Sequence, residues 1–172
     1  MRDDIRHIVL TGLMGSGKTT VGRKLAAEIG WDWRDSDVDI EAATGRTVRE
    51  LRDEEGVDAM HGREAAALMD ALAAPERNVI SAAASVVDVP ECRTALAAPD
   101  VAVIWLRAAP AVLAKRFSAQ NHRPAYGDSP ETFLAEQAAR REPFLRGLGG
   151  IVIDVDTITP DEAVARAVDG LG

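Results

Sequence analysis

The stretch Gly12-Leu13-Met14-Gly15-Ser16-Gly17-Lys18-Thr19 matches the phosphate-binding pattern GxxxxGK[ST] at every fixed position. The apolar run at residues 8–10 before it is typical of a buried strand, and residues 18–29 have the apolar spacing of a helix. In this context the N–H groups and the dipole at the helix start favour an anion, and the glycines let the backbone approach it. The sequence therefore predicts a cradle for the phosphates of a nucleoside triphosphate.

Individual side chains of this loop have distinct expected roles. Lys18 is expected to place its charge beside the β- and γ-phosphates, and Thr19 to offer its hydroxyl to the Mg²⁺ that accompanies a nucleotide. With two arginines considered below, the predicted nucleotide-binding residues are Gly12, Gly15, Ser16, Gly17, Lys18, Thr19, Thr20, Arg116 and Arg123.

The length and charge of the chain narrow the possible functions. Its 172 residues correspond to one domain, residues 1–172. The net charge of −8 disfavours binding to nucleic acid or an anionic membrane. Cys92 has no partner for an internal disulfide, and the first residues lack the apolar core of a signal peptide, so we expect a cytoplasmic protein. We expect a monomer whose partner is a small metabolite.

Strand and helix patterns alternate along the chain. Strands are predicted at residues 5–10, 31–35, 78–81, 101–106 and 151–154, and helices at 18–29, 38–43, 47–55, 57–74, 110–117, 131–146 and 160–171. Residues 82–85 allow either more strand or a helix start, and the polar segment 118–130 predicts a mobile loop. The alternation predicts a three-layer α/β fold around a parallel sheet.

Two carboxylates, Asp35 and Asp37, lie at the end of the second predicted strand. Ligands of open α/β sheets bind at this edge, beyond the carboxyl ends of the strands. One carboxylate could hold Mg²⁺ through water while the other accepts a hydrogen bond from an acceptor alcohol. The alternative is a turn in which aspartates merely cap a helix.

The reaction class follows from what accompanies the phosphate loop. A switch GTPase would carry an NKxD guanine motif, which the sequence lacks, and a large ATPase motor would need a longer chain. A small ATP-dependent phosphotransferase remains, in which Mg²⁺, a lysine and arginines stabilise the transferring phosphoryl group. Arg116 and Arg123 flank the polar segment, so residues 116–130 are predicted to form a lid that excludes water, unless these are ordinary surface arginines.

At this point the chain resembles the shikimate kinases, small P-loop enzymes of the nucleoside-monophosphate-kinase type. Residues 35–41 and 44–48 are similar to the family's DSD..IE..TGRSI stretch, Arg123-Pro124 to its RP lid, and Arg141-Glu142-Pro143-Phe144 to its R.PLY segment. The likeness covers nearly the whole chain. It implies a five-stranded parallel sheet in the order 2-3-1-4-5, with substrate-binding helices within residues 37–74.

The resemblance also implies roles for individual residues. Asp35 would serve the metal together with Thr19, Asp37 would act on the acceptor hydroxyl, Arg116 would lie on the adenine and Arg141 would hold the substrate carboxylate. The implied catalytic residues are Lys18, Asp37 and Arg123. The candidate substrate residues are Asp37, His61, Ala83, Ala84 and Arg141.

Two departures from the family fall on the substrate side. Met60 and His61 stand where the family has phenylalanine and arginine, so an imidazole replaces a guanidinium that helps bind the carboxylate. Residues 82–85 replace a GGG turn, and an alanine at a left-handed position there would cost about 1 kcal/mol.

Three functions remain open on the sequence. The first is transfer of phosphate from ATP to shikimate, giving shikimate 3-phosphate and ADP. The second is a paralogous kinase for another cyclitol, sugar acid or polyol, which the loss of an arginine at His61 favours. The third is a nucleotide-binding regulatory protein without catalytic activity.

Overall fold

The computed structural model describes residues 4–118 and 129–172. Its strands are β1 (His7–Thr11), β2 (Asp32–Asp35), β3 (Asn78–Ser81), β4 (Val101–Arg107) and β5 (Ile151–Asp154). Its helices are α1 (Lys18–Ile29), α2 (Ser36–Thr44), α3 (Val48–Glu55), α4 (Val57–Leu72), α5 (Pro90–Leu96), α6 (Pro110–Ser118), α7 (Pro130–Gly147) and α8 (Pro160–Leu171), and a 3₁₀ helix covers Ala84–Asp88.

The five strands form one parallel sheet in the order β2-β3-β1-β4-β5, which confirms the expected topology. Strand β1 lies in the centre and is buried along its whole length. In the register of the sheet Leu10 pairs with Ser81, and Ser81 pairs with Asp35. The carboxyl ends of β1, β2 and β3 therefore meet at one edge, where the phosphate loop leaves β1.

Side chains of β1 alternate between two apolar layers, as a fully buried strand requires. Ile8 and Leu10 join the cluster that packs against α1 and α8, whereas Val9 joins the cluster formed with α4 and α5. Helices thus cover both faces of the sheet. This is the predicted three-layer arrangement, and the phosphate loop follows directly from the central, fully buried strand β1.

Helix boundaries follow signals that the sequence carries. Gly30 ends α1 with φ of 72°, and its N–H donates to the carbonyl oxygen of Ala26. Thr47 and Glu50 form a reciprocal capping box at the start of α3. Helix α5 was not predicted, although Pro90 in its first turn is a start signal. On α4, Leu68 is fully buried, whereas the next residue, Met69, is 43% exposed.

The open question about residues 82–85 has a specific answer. Ala82 continues from β3 and is fully buried, and its N–H donates to the carbonyl oxygen of Leu10. Ala83 is extended, with φ of −61° and ψ of 149°, and the 3₁₀ helix begins at Ala84. No helix within the described part of the chain is long and apolar enough to cross a membrane.

Candidate active site

The phosphate loop connects β1 to α1 and depends on three left-handed glycines. Gly12, Gly15 and Gly17 have φ values of 141°, 82° and 94°. A Cβ atom at Gly12 would lie 2.5 Å from the carbonyl oxygen of Leu106 on the neighbouring strand β4. Other residues are therefore excluded at this position by backbone conformation and by space.

A cavity of about 660 Å³ lies beside this loop. Residues Gly15 to Val21 line it, together with Arg116, Val155, Ile158, Thr159, Pro160 and Ala163. Arg116 donates to the carbonyl oxygens of Val155 at 2.5 Å and Asp156 at 3.3 Å, which places its guanidinium on the cavity wall. The second predicted arginine, Arg123, and residues 119–128 of the predicted lid lie outside the described residues.

Two polar groups of the loop suit an anionic ligand. The Lys18 ammonium donates to the carbonyl oxygens of Gly12 at 2.7 Å and Leu13 at 3.2 Å. The Ser16 hydroxyl oxygen is buried and has no hydrogen-bond partner among the described residues. Because an unpaired buried hydroxyl is costly, a ligand oxygen at this position would be favoured.

Thr19 and Asp35 form the part of the site that suits Mg²⁺. The Thr19 hydroxyl donates to Asp35 Oδ2 at 2.8 Å, and Asp35 Oδ1 accepts from the backbone N–H of Asp37 at 3.0 Å. The described residues contain no cluster of three or more His, Cys, Asp or Glu side chains that could hold a metal. This donor set fits Mg²⁺, which keeps several waters and binds one or two protein oxygens plus phosphates. Asp35 also caps α2, which is the alternative interpretation of this carboxylate, and its role toward Mg²⁺ stays a prediction.

A second cavity, of about 540 Å³, opens on the other side of Lys18 and Thr19. We call it the acceptor cavity. Its wall includes Lys18, Thr19, Asp35, Asp37, Met60, Glu64, Ser81, Ala82, Ala83 and Ala84, with Val48, Arg49 and Arg52 from α3. The structure therefore brings Asp37, Ala83 and Ala84 together beside the phosphate loop, as the sequence predicts.

A third cavity, of about 350 Å³, adjoins the acceptor cavity and contains the other predicted substrate residues. We call it the cationic cavity because Arg52, Arg140 and Arg141 contribute to its wall, beside His61. Five residues line both cavities: Met14, Arg52, Met60, Glu64 and Ala84. His61 and Arg141 thus face one space that continues toward Asp37.

The charge in the cationic cavity is partly balanced within the protein. Arg141 donates to Asp88 Oδ2 from Nε at 3.1 Å and from Nη2 at 2.8 Å, and both side chains are buried. Burial, followed by the nearby Arg141 guanidinium, lowers the pKa of the half-buried His61 below its usual value. At neutral pH this imidazole is therefore uncharged, and the positive charge here belongs to arginines.

The alanine segment carries none of the strain that a left-handed alanine would introduce. Within residues 4–118 and 129–172, only glycines have positive φ. The Ala83 N–H donates to the Ser36 hydroxyl at 3.3 Å, which ties the segment to the start of α2. The cost considered for a left-handed alanine therefore does not arise here, because the chain follows an extended path into the 3₁₀ helix.

Comparison with known proteins identifies the family. The shikimate kinase family model matches residues 14–171. The chain belongs to the shikimate kinase family. A shikimate kinase from Symbiobacterium thermophilum is 38% identical over 96% of this chain and 95% of its own, and one from Paramagnetospirillum magneticum is 35% identical over 96% and 84%. The shikimate kinase from Acinetobacter baumannii, solved in complex with shikimate, superposes with a TM-score of 0.87 at 25% identity, over 96% of this chain and 92% of its own.

Membership of the shikimate kinase family settles the enzyme class and the cofactors. The protein is an ATP-dependent kinase that uses ATP with Mg²⁺. This agrees with the phosphate loop and with the oxygen ligands offered by Thr19 and Asp35. The family assignment supports an enzyme. It does not support the third function, a regulatory protein without catalytic activity.

Sequence reasoning missed three residues of the acceptor side. Arg52 lines both cavities, Asp88 holds Arg141, and the Ser85 hydroxyl bonds to the Glu64 carboxylate. A signal for Arg52 existed, since it follows Val48 by four residues on a predicted helix and so shares its face. No comparable signal marked Asp88, which lies 53 residues from its partner.

Glu64 should make stability depend on pH. Burial raises the pKa of its carboxyl above the ordinary 4.5; the nearby Asp37 charge acts in the same direction, and the Ser85 hydrogen bond opposes it. The folded state therefore holds this proton more tightly than the unfolded state. The resulting stabilisation is complete below pH 4.5 and is lost as the pH rises through the raised pKa of the folded state.

The measurement is urea unfolding of the wild type and Glu64→Gln, from below pH 4.5 to above the raised pKa of the folded state. The free energy of unfolding of the wild type, relative to Glu64→Gln, should fall with rising pH by at most about 1.4 kcal/mol per pH unit. Ser85→Ala removes a group that lowers this pKa, so it should extend the fall to higher pH. Parallel profiles for the wild type and Glu64→Gln would contradict this prediction.

Proposed function

We propose that this enzyme transfers the γ-phosphoryl group of ATP to a hydroxyl of shikimate, giving shikimate 3-phosphate and ADP. The observation that carries the proposal is the acceptor cavity, where Asp37 lies on the same wall as Lys18 and Thr19 and next to the cationic cavity. A hydroxylated carboxylic acid suits this combination of a carboxylate, a phosphate loop and arginines. The shikimate kinases among its relatives support this acceptor.

Asp37 is proposed to accept a hydrogen bond from the acceptor hydroxyl and to take its proton as the oxygen attacks the γ-phosphorus. The bond from that phosphorus to the β,γ-bridging oxygen breaks, and ADP leaves with the bond's electron pair. Lys18 balances the charge that develops on the phosphoryl oxygens. Thr19 and Asp35 would hold Mg²⁺, which would supply further charge balance at the β- and γ-phosphates.

Other proposed contacts complete the two binding sites. Arg116 lies on the adenine, and Arg123, on the sequence-predicted lid of residues 116–130, acts on the phosphates. Arg141 is proposed to orient the substrate carboxylate, for which its buried pair with Asp88 supplies a rigid support. Ala83 and Ala84 are proposed to shape the wall beside the substrate ring.

The wider organisation is also part of the proposal. We propose that residues 1–172 act as one kinase domain, with the substrate held by helices within residues 37–74. We further propose a monomeric, cytoplasmic enzyme that acts on a small metabolite and binds neither nucleic acid nor membranes, in keeping with the net charge of −8.

The test is ADP release by the purified protein with ATP, Mg²⁺ and shikimate. We expect release that requires both shikimate and Mg²⁺, falls to the ATPase background with excess EDTA, and yields one phosphomonoester, at the 3-hydroxyl by NMR. Gluconate and cyclitols serve as matched acceptors. Turnover of one of these without turnover of shikimate would overturn the proposal in favour of the paralogous kinase.

A further inference from the structure

Arg52 has a position that helix geometry determines. Helix α3 starts at its capping box, and Leu51 anchors it by inserting into the cluster formed with Ile40 and Met60. Val48 and Arg52 are one turn apart on the same face, and both line the acceptor cavity. The Arg52 side chain is half-buried, so its stem packs at the cavity wall and its charge is partly removed from water.

Arg52 is also the basic residue among the five that line both the acceptor and the cationic cavities. Arg52 therefore belongs to the wall that the two spaces share. A ligand whose hydroxyl reaches Asp37 and whose other end points toward Arg141 must pass this junction. Because Arg52 lines the cationic cavity as well, it shares with Arg141 the space that would receive the other end of such a ligand.

The charges around this junction show why a further cation is needed. Arg141 already donates twice to the buried Asp88 carboxylate, the largely exposed Arg140 lies 3.6 Å from the same carboxylate, and the pKa of His61 is lowered. Burying a ligand carboxylate here without an added cation would leave its charge poorly compensated. An arginine offers a permanently charged, two-pronged donor, which a neutral imidazole cannot supply.

We propose that Arg52 binds the carboxylate of the acceptor together with Arg141, and so takes over the role that the family gives to an arginine at the position of His61. This inference rests on the proposed function, because it concerns the same acceptor. In this chain the guanidinium that binds the acceptor carboxylate is carried by α3 instead of α4, and the cavity between the two helices is retained. Arg52 is then a residue that determines specificity for a carboxylated acceptor.

The experiment compares Arg52→Met with the wild type on two acceptors, shikimate and its methyl ester, which lacks the negative charge. Arg52→Met should raise KM for shikimate by about 10- to 100-fold, the effect of losing a hydrogen bond to a charged group. It should leave KM for the ester and KM for ATP within about twofold of the wild type. Arg52→Lys keeps the positive charge but loses the two-pronged donor. Its KM for shikimate should therefore lie between the values of the wild type and Arg52→Met.

Two further variants separate binding from folding. Arg63→Met removes an arginine that bonds to Glu55 at the end of α3, outside both cavities, so it disturbs the same helices without touching the acceptor. The KM of Arg63→Met for shikimate should equal that of the wild type. Introducing His61→Arg into Arg52→Met restores a guanidinium to this cavity and should recover most of the lost affinity.

The outcomes distinguish the two proposals. If the wild type turns over shikimate but Arg52→Met keeps its KM, or loses affinity equally for shikimate and the ester, the role of Arg52 is wrong and the proposed function stands. Failure of His61→Arg to rescue Arg52→Met would also contradict the role. If the wild type does not turn over shikimate, both proposals are wrong.

Discussion

Replacing Lys18 with methionine is expected to lower kcat for shikimate-dependent ADP formation by about 10³-fold. The physical reason is that phosphoryl transfer is catalysed mainly by positioning and charge, so removing the ammonium leaves the developing phosphoryl charge without its protein partner. The fold should survive, because the Lys18 ammonium donates to backbone carbonyl oxygens, those of Gly12 and Leu13, whereas α1 packs on the sheet through Val21, Leu25 and Ala26. Each lost bond should reduce stability by about 1 kcal/mol.

The matched control is Lys24→Met on the same helix. Lys24 forms an exposed ion pair with Asp161 at 2.7 Å, and neither residue lines any of the three cavities. Such pairs contribute about 0–1 kcal/mol. Its kcat should equal that of the wild type. A Lys18→Met enzyme that retains more than about a tenth of wild-type kcat would show that this ammonium does not carry the transition-state charge.

Replacing Asp37 with asparagine is expected to lower kcat by about 10²- to 10⁴-fold with little change in KM for ATP. The amide is nearly isosteric but cannot accept the proton of the acceptor hydroxyl. The local backbone should be preserved, because the hydrogen bond to Asp35 comes from the backbone N–H of Asp37 and not from its side chain. A coupled assay at saturating ATP and shikimate measures the loss.

Asp39→Asn is the control for charge on the same helix. Asp39 lies two residues along α2, pairs with Arg34 at 2.7 Å and does not line the acceptor cavity. We expect a small loss of stability and an unchanged kcat. Wild-type activity in Asp37→Asn would rule out Asp37 as the base and would transfer that role to another carboxylate of the cavity, for which Glu64 is available.

The nucleotide side of the site could be predicted from the sequence because its residues are close together in the chain. The loop from Gly12 to Thr19 is contiguous, and its glycines, lysine and hydroxyl each have a role that spacing alone reveals. The family resemblance implied the order of the strands, and the sheet confirms it. The positions of Asp35 and Asp37 were predictable for the same reason, since Asp35 ends β2 and Asp37 lies in the first turn of α2.

The acceptor side was less predictable because it is assembled from distant segments. Asp88 meets Arg141 across 53 residues, and neither residue signals the other in the sequence. Arg52 follows the pattern of a polar surface helix, and only the packing of α3 over the cavity reveals its position. The conformation of residues 82–85 could not be predicted, because a run of small residues does not specify the backbone torsions.

The close contact at Gly12 has a consequence for transplanting this motif. A Cβ there would approach the Leu106 carbonyl oxygen to 2.5 Å, so the loop rests against a strand about ninety residues away in the chain. An eight-residue graft of Gly12 to Thr19 into another scaffold would carry the glycines but not the wall that supports them. The portable unit is the loop with both strands and the helix, and anion binding is a property of that whole assembly.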